Sequence, residues 1–173
     1  MNTTSPRGPQ TAAATTEAPW LQPERLVLSR RLLASHRQAF GRPLLTSSES
    51  QLSDRQAAQA LFAAPVVVLA HDGGSDPCLI YANRAALVLW SHRWHSLIGQ
   101  PSRLTAEPDR RADRQRLLER ARAVGALEGY TGVRIDRHGR RFLIQRARLW
   151  TLTDSEGTAC GQAAAFSDWY RID

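Results

Sequence analysis

The sequence predicts an α+β fold, a five-stranded antiparallel sheet with helices on one face and an N-terminal helical extension. Apolar residues first recur at helical spacing near the N-terminus. Two short strand-like runs then precede a group of helices, and three long strand-like runs follow it. Strands that are grouped on either side of a set of helices favour an antiparallel sheet with helices packed against it.

The N-terminal third divides into a leader and a helical extension. Residues 1–20 are rich in Ser, Thr, Ala and Pro and nearly uncharged, which predicts a disordered leader. Residues 21–63 form the extension. It contains a helix over 24–40, ended by Gly41, and a shorter helix over 53–62.

The predicted core covers residues 64–173 and opens with two short strands. Residues 64–70 are a continuous apolar run, and residues 78–81 form the second strand. Asn83 follows directly, and its side-chain oxygen is suited to accept from the first free N–H groups of a helix that runs to Trp90.

A short helical segment from His95 to Ile98 and a longer helix over residues 108–125 come next. The rest of the chain predicts three strands, at 129–136, 140–152 and 158–169. Strict alternation along the second of these would place Phe142, Ile144 and Trp150 on one side and Leu143, Ala147 and Leu149 on the other. Both faces of the sheet should therefore be covered, and the helix at 24–40 is the candidate for the second cover.

Composition limits the chemistry that the chain can perform. The formal charge of +7 comes from arginine alone, and without lysine neither Schiff-base chemistry nor a phosphate-loop lysine is available. Cys78 and Cys160 are far apart and lack the spacing of metal or redox motifs. No apolar run is long enough to cross a membrane and no secretory leader is present, so we expect a cytoplasmic protein.

Four runs carry a resemblance to a known family: YANRAALVLW, LIGQPSRLTAEP, GYTGVRIDRHGRRFLIQRARLW and GQAAAF. They resemble the MEKHLA domain, a PAS-like module of bacterial, algal and plant proteins, and the resemblance covers about residues 24–170. The element order, with an asparagine between strand and helix, also resembles the PAS fold. The resemblance implies a sensory or regulatory module, here expected in a bacterial cell, that binds a small ligand, a protein partner or both and is not an enzyme.

The resemblance argues against the two cofactors best known from PAS relatives. Flavin-binding relatives place a reactive cysteine in a Gly-x-Asn-Cys-Arg-Phe-Leu run, whereas here the matching run over residues 99–105 has Ser102 at that point. Haem-binding relatives use a histidine on the long helix, and residues 108–125 contain none. His92 and His95 could share a helical face, but no further metal ligands lie nearby.

No hydrolase or nucleotide-binding motif is present, so we expect no catalysis. The residues predicted to line a ligand cavity are Tyr81, Asn83, Trp90, Ser102, Arg103, Thr105, Tyr130, Arg134, Gln145 and Gln162. Arg103 either holds a carboxylate or phosphate ligand or pairs with Glu107. Gln145 and Gln162 are expected to lie near each other on adjacent strands.

Three partner hypotheses remain open. Arginines crowd the helix at 108–125 and the hairpin that follows it, which would suit nucleic acid, although acidic residues are interleaved and no DNA-reading motif appears. The apolar stripe of the helix at 24–40 could form a homodimer or cover the sheet within one molecule. The chain ends at Asp173 directly after the last strand, so we expect signalling through another protein.

Overall fold

The computed structural model describes residues 17–46 and 48–173, so most of the predicted leader lies outside the described residues. The helices are α1 (Pro23–Phe40), α2 (Asp54–Ala63), α3 (Arg84–Leu89), α4 (Trp94–Leu97) and α5 (Arg111–Val124). The strands are β1 (Val67–Asp72), β2 (Leu79–Ala82), β3 (Ala126–Ile135), β4 (Arg141–Thr153), β5 (Ala159–Phe166) and β6 (Asp168–Arg171). Short 3-10 turns occupy Pro19–Leu21, Glu49–Gln51, Ser102–Thr105 and Pro108–Arg110.

The strands form one antiparallel sheet in the order β2-β1-β5-β4-β3, with β6 also paired to β4, and the predicted α+β class is confirmed. The sheet has six strands because the predicted last strand breaks at Ser167. β5 pairs with β1 and with the second half of β4, whereas β6 pairs with the first half of β4.

Two bulges shift the alternation of side chains in the β3–β4 hairpin. In β3, Gly129 has a φ of 79°, which glycine adopts without strain. In β4, Tyr130 pairs with Ala147 but Gly132 pairs with Ile144, so β4 contains one extra residue. Arg146 lies in this extra step, with a left-handed φ of 52°.

The β4 bulge makes the predicted faces of this strand wrong. Phe142 and Ile144 share one apolar core with Ala147, whereas Trp150 and Leu152 belong to the core on the opposite face. Strict alternation had grouped Trp150 with Ile144, because nothing in the sequence marks an inserted residue at an arginine.

Each face of the sheet is covered by helices, as the strand pattern predicted. On one face Leu32 and Leu33 of α1 share a core with Trp150, and this core also includes residues of α2. On the other face α3 packs Ala86 and Leu89 against the sheet. The stripe of α1 is therefore used within the molecule, and a homodimer through residues 24–40 stays a prediction.

The ordered structure begins before residue 21. Trp20 stacks on Phe62 with ring centroids 3.5 Å apart, and its indole N–H donates to Gln59 Oε1 at 2.9 Å. The end of the predicted leader thus packs against α2. Across residues 17–46 and 48–173, no helix combines the length and the apolar character needed to span a bilayer.

Candidate functional site

A small cavity of about 50 Å³ lies between α5 and the sheet face that α3 also covers. Its wall is mainly apolar, with Leu69 from β1 and Leu149 from β4 among the lining residues. The structure brings five of the predicted site residues together here: Trp90, Thr105, Tyr130, Arg134 and Gln162.

Arg134 is the most buried arginine that lines the cavity, with 8% of its surface exposed. Its guanidinium lies 5.3 Å from the centre of the Tyr130 ring and donates to Tyr130 Oη at 2.6 Å and to the Val133 carbonyl at 2.8 Å. Gly132 makes this arrangement possible, because a Cβ there would overlap Tyr130 Oη. The β3 strand therefore holds a cation inside a largely apolar space.

Arg114 of α5 also lines the cavity, and sequence reasoning missed it as a site residue. Its Nε is buried and has no hydrogen-bond partner among the residues that the structure describes. Burial, followed by the nearby charge of Arg134, lowers the pKa of Arg114 to about 10. Helical spacing contained the signal: Arg114 precedes Leu117, Leu118 and Ala121 by three, four and seven residues, and so occupies the inward stripe of the helix.

Gln162 of β5 connects the sheet side of the cavity to α5. Its Nε2 donates to the Leu118 carbonyl of α5 at 3.0 Å, which fixes the helix over the sheet. Both residues also line a neighbouring cleft of about 170 Å³, beside the Gly73–Gly74 turn. The bond between them therefore stands between the cleft and the inner cavity.

His71 is a further lining residue, which lies on β1 and is buried. Its Nδ1 is 2.6 Å from the Asp72 carbonyl, a contact that requires a proton on Nδ1 and leaves Nε2 as an acceptor. Burial lowers the pKa of His71, so the ring is neutral at pH 7. Its Nε2 has no partner among the described residues.

Asn83 and Tyr81 have structural roles outside the cavity. Asn83 Oδ1 accepts from Ala86 N at 3.1 Å, which confirms the predicted cap of α3, and also from Val68 N at 3.0 Å. Its Nδ2 donates to the Val66 carbonyl at 2.7 Å. Tyr81 lies in the core on the α1 side, edge-on to Trp94, and burial there raises its pKa.

Arg103 is on the surface rather than in the cavity. It pairs with Asp76 at 3.1 Å, with about half of its side chain exposed, and not with Glu107 as sequence reasoning allowed. Glu107 instead pairs with Arg141 at 3.0 Å. Asp76, in the turn between β1 and β2, is thus the partner of Arg103, for which a carboxylate or phosphate ligand had been one of two expectations.

The two glutamines do not meet. The strand register places Gln145 opposite Asp168 and Gln162 opposite Thr151, so they lie at different ends of β4. The predicted proximity is wrong because β5 and β6 pair with separate halves of β4.

The cavity does not fit a flavin or a haem. Sites for molecules of that size measure about 300 Å³ or more. Ser102, at the position of the flavin-reactive cysteine, is buried and does not line the cavity. His95 is exposed and His92 contacts Ser96 Oγ at 3.2 Å. No cluster of three or more His, Cys, Asp or Glu side chains suited to a metal ion occurs in the described part of the chain.

Several arginines of the β3–β4 hairpin form ion pairs or hydrogen bonds with other residues of this protein. Arg140 pairs with Asp136 at 2.8 Å, Arg146 pairs with Asp168 at 2.7 Å, and Arg148 donates to His36 at 2.7 Å. These contacts reduce the positive surface that the sequence suggested for nucleic acid. Nucleic-acid binding stays an untested prediction.

Solved structures with a similar fold are PAS and light-oxygen-voltage domains. A PAS domain from Colwellia psychrerythraea aligns with a TM-score of 0.58 at 16% identity, over 68% of this chain and 95% of that one. A light-oxygen-voltage domain studied with a flavin analogue gives 0.53 at 17%, over 67% and 84% of the two chains. An RNA-binding light-oxygen-voltage receptor gives 0.51 at 20%, over 66% of this chain but 31% of the receptor.

At these identities the solved structures establish the fold, which is PAS-like as the resemblance implied. No curated protein matches the chain in sequence. The family model of the MEKHLA domain, by contrast, matches residues 26–171, nearly the same span as the resemblance carried by the four sequence runs. The chain therefore belongs to the MEKHLA domain family, whose PAS-like modules are sensory and generally not enzymes.

Proposed function

We propose that this protein is a non-catalytic sensory or regulatory module of the cytoplasm that binds a small ligand in the cavity beneath α5 and acts through a protein partner. The observation that carries the proposal is the convergence of polar side chains from α5, β1, β3 and β5 on one largely apolar cavity. Buried polar groups in proteins are nearly always paired, so unpaired groups around a cavity are typical of a binding site.

The size of the cavity limits the ligand. Sites for drug-sized ligands measure about 300 Å³ or more. The 50 Å³ present here is well below that size and therefore favours a small ligand. The proposed sensor therefore detects a small metabolite rather than carrying a large prosthetic group.

A cavity-filling variant tests the proposal. We would record native mass spectra of the full chain purified from the cells that make it, as parent, Ala147→Leu and Ala112→Leu. Ala147 is buried and lines the cavity, whereas Ala112 is exposed on α5 and serves as the matched control. A small adduct on the parent and on Ala112→Leu, but not on a folded Ala147→Leu, is expected. The same adduct on all three proteins would place the ligand elsewhere.

A further inference from the structure

Arg114 and Arg134 lack the counter-charges that other arginines of this protein have. Asp136, for example, forms ion pairs with Arg140 at 2.8 Å and with Arg171 at 3.2 Å. Among residues 17–46 and 48–173, neither Arg114 nor Arg134 pairs with a carboxylate, and the cavity lining contains no acidic residue. Two cations thus line one largely apolar cavity whose other lining groups are neutral.

This arrangement is unfavourable without a ligand. A guanidinium loses hydration on burial, and a second positive charge nearby adds repulsion. The Tyr130 hydroxyl and the Val133 carbonyl satisfy part of Arg134, but they carry no charge, and Arg114 Nε has no partner. A bound anion would supply both the missing charge and the missing acceptor.

The shape and polarity of the wall define the anion further. The planar fork of a guanidinium matches a carboxylate, with which it forms paired hydrogen bonds. Beyond the arginines the lining is apolar, with Leu69, Ile144 and Phe166 among its members. Inorganic oxyanions present no apolar surface to such a wall, whereas an alkyl chain does.

We propose that the cavity binds a short-chain aliphatic monocarboxylate, with its carboxylate between Arg114 and Arg134 and its alkyl group against the wall formed by Ile144, Ala147 and Leu149. The inference rests on the proposed function and specifies its ligand class. The small size of the cavity, about 50 Å³, favours a short chain such as that of acetate or propionate. Ligands of this size are expected to bind with micromolar to millimolar Kd.

Calorimetry with the full chain at low ionic strength tests the assignment, using propionate, its neutral isostere propionamide, and nitrate as probes. Propionate should bind most tightly and propionamide should show no measurable binding. Arg114→Leu should weaken propionate by about 10- to 100-fold, because it removes a charge-assisted hydrogen bond. Arg120→Leu, which makes the same change of charge at an exposed position of α5, should leave the affinity unchanged.

Thermal unfolding is a second measurement, and it distinguishes an arginine that binds an anion from one with a purely structural role. Without ligand, Arg114→Leu should melt at a higher temperature than the parent, because it removes a desolvated charge beside Arg134. With propionate, the parent should gain more stability than Arg114→Leu does. A lower melting temperature of Arg114→Leu without ligand would show that its charge is already compensated and would overturn the inference.

The failures of the two proposals can be told apart. Equal binding of propionamide and propionate, tighter binding of nitrate, or an unchanged affinity of Arg114→Leu would overturn the carboxylate assignment. If native mass spectrometry then showed a neutral molecule that Ala147→Leu excludes, the proposed function would stand alone. Absence of any binding that depends on the cavity would overturn both.

Discussion

The substitution Asn83→Ala removes one side chain that contacts backbone groups of α2, β1, α3 and the segment between α2 and β1. Two buried N–H groups, those of Val68 and Ala86, lose their acceptor, and the Val66 carbonyl loses the amide donor that lies 2.7 Å away. A buried donor left unpaired costs about 1–3 kcal/mol, and loss of a helix N-cap costs about 0.5–2 kcal/mol. The expected loss of unfolding free energy is therefore about 3–5 kcal/mol, a large part of the stability of an ordinary domain.

Urea unfolding followed by tryptophan fluorescence measures this loss, and Asn83→Asp separates its causes. Aspartate keeps both acceptor contacts but places a negative charge against the carbonyls of Leu61, Ala64 and Val66. Asn83→Asp should therefore be destabilised at pH 7 and recover part of its stability in acid, where a protonated carboxyl can donate again. A loss below about 1 kcal/mol for Asn83→Ala would refute the view that this side chain ties the four segments together.

Three further predictions concern other parts of the fold. The pKa of His36 is lowered to about 4, by burial first and then by Arg148. Below pH 6.5 the unfolded chain therefore binds a proton that the folded chain excludes, and the free energy of unfolding should fall by at most about 3 kcal/mol between pH 6.5 and 4. A pH series of urea titrations should show a flatter profile for His36→Gln. Gly132→Ala should displace the Tyr130 hydroxyl and lower stability by about 1–2 kcal/mol, with an altered near-ultraviolet circular dichroism spectrum, and a variant as stable as the parent would contradict the crowding. Trp20→Ala should lose its stacking on α2 and about 1–3 kcal/mol in urea unfolding, whereas an unchanged midpoint would mean that residues before α1 add nothing to the fold.

Local features of the fold could be predicted from the sequence because they depend on neighbouring residues. Asn83 caps the helix that follows it, Gly41 ends α1 with a φ of 67°, and the turn residue Asp136 accepts from the His138 and Arg140 N–H groups. Each of these contacts joins residues a few positions apart, so the spacing of residue types is enough to indicate them.

The composition of the site was predicted in part, because it depends on which face each strand residue occupies. Trp90, Tyr130 and Arg134 line the cavity, but Gln145 does not. The face of Gln145 and its distance from Gln162 follow from the bulge at Arg146 and the break at Ser167, and neither is marked by residue type.

Arg114 is a different case, because its position was readable from the sequence. It lies on the same stripe of α5 as Leu118, which the helical period fixes. A group of arginines on one helix suggested a solvated or nucleic-acid-binding surface, and that composition obscured the one arginine that faces inward. Periodicity was the better guide than composition for this residue.

The extra residue at Arg146 reverses the alternation of β4 side chains between the two faces of the sheet. Upstream of it, even-numbered positions such as Ile144 face the cavity side, and downstream odd-numbered positions such as Leu149 do so, while Trp150 turns to the α1 side. Deleting this one exposed residue would leave every apolar core side chain present in the chain, yet it would exchange the two cores along half of the strand. The information that separates the cavity-facing surface from the α1-facing surface is thus carried by a backbone step rather than by any apolar side chain.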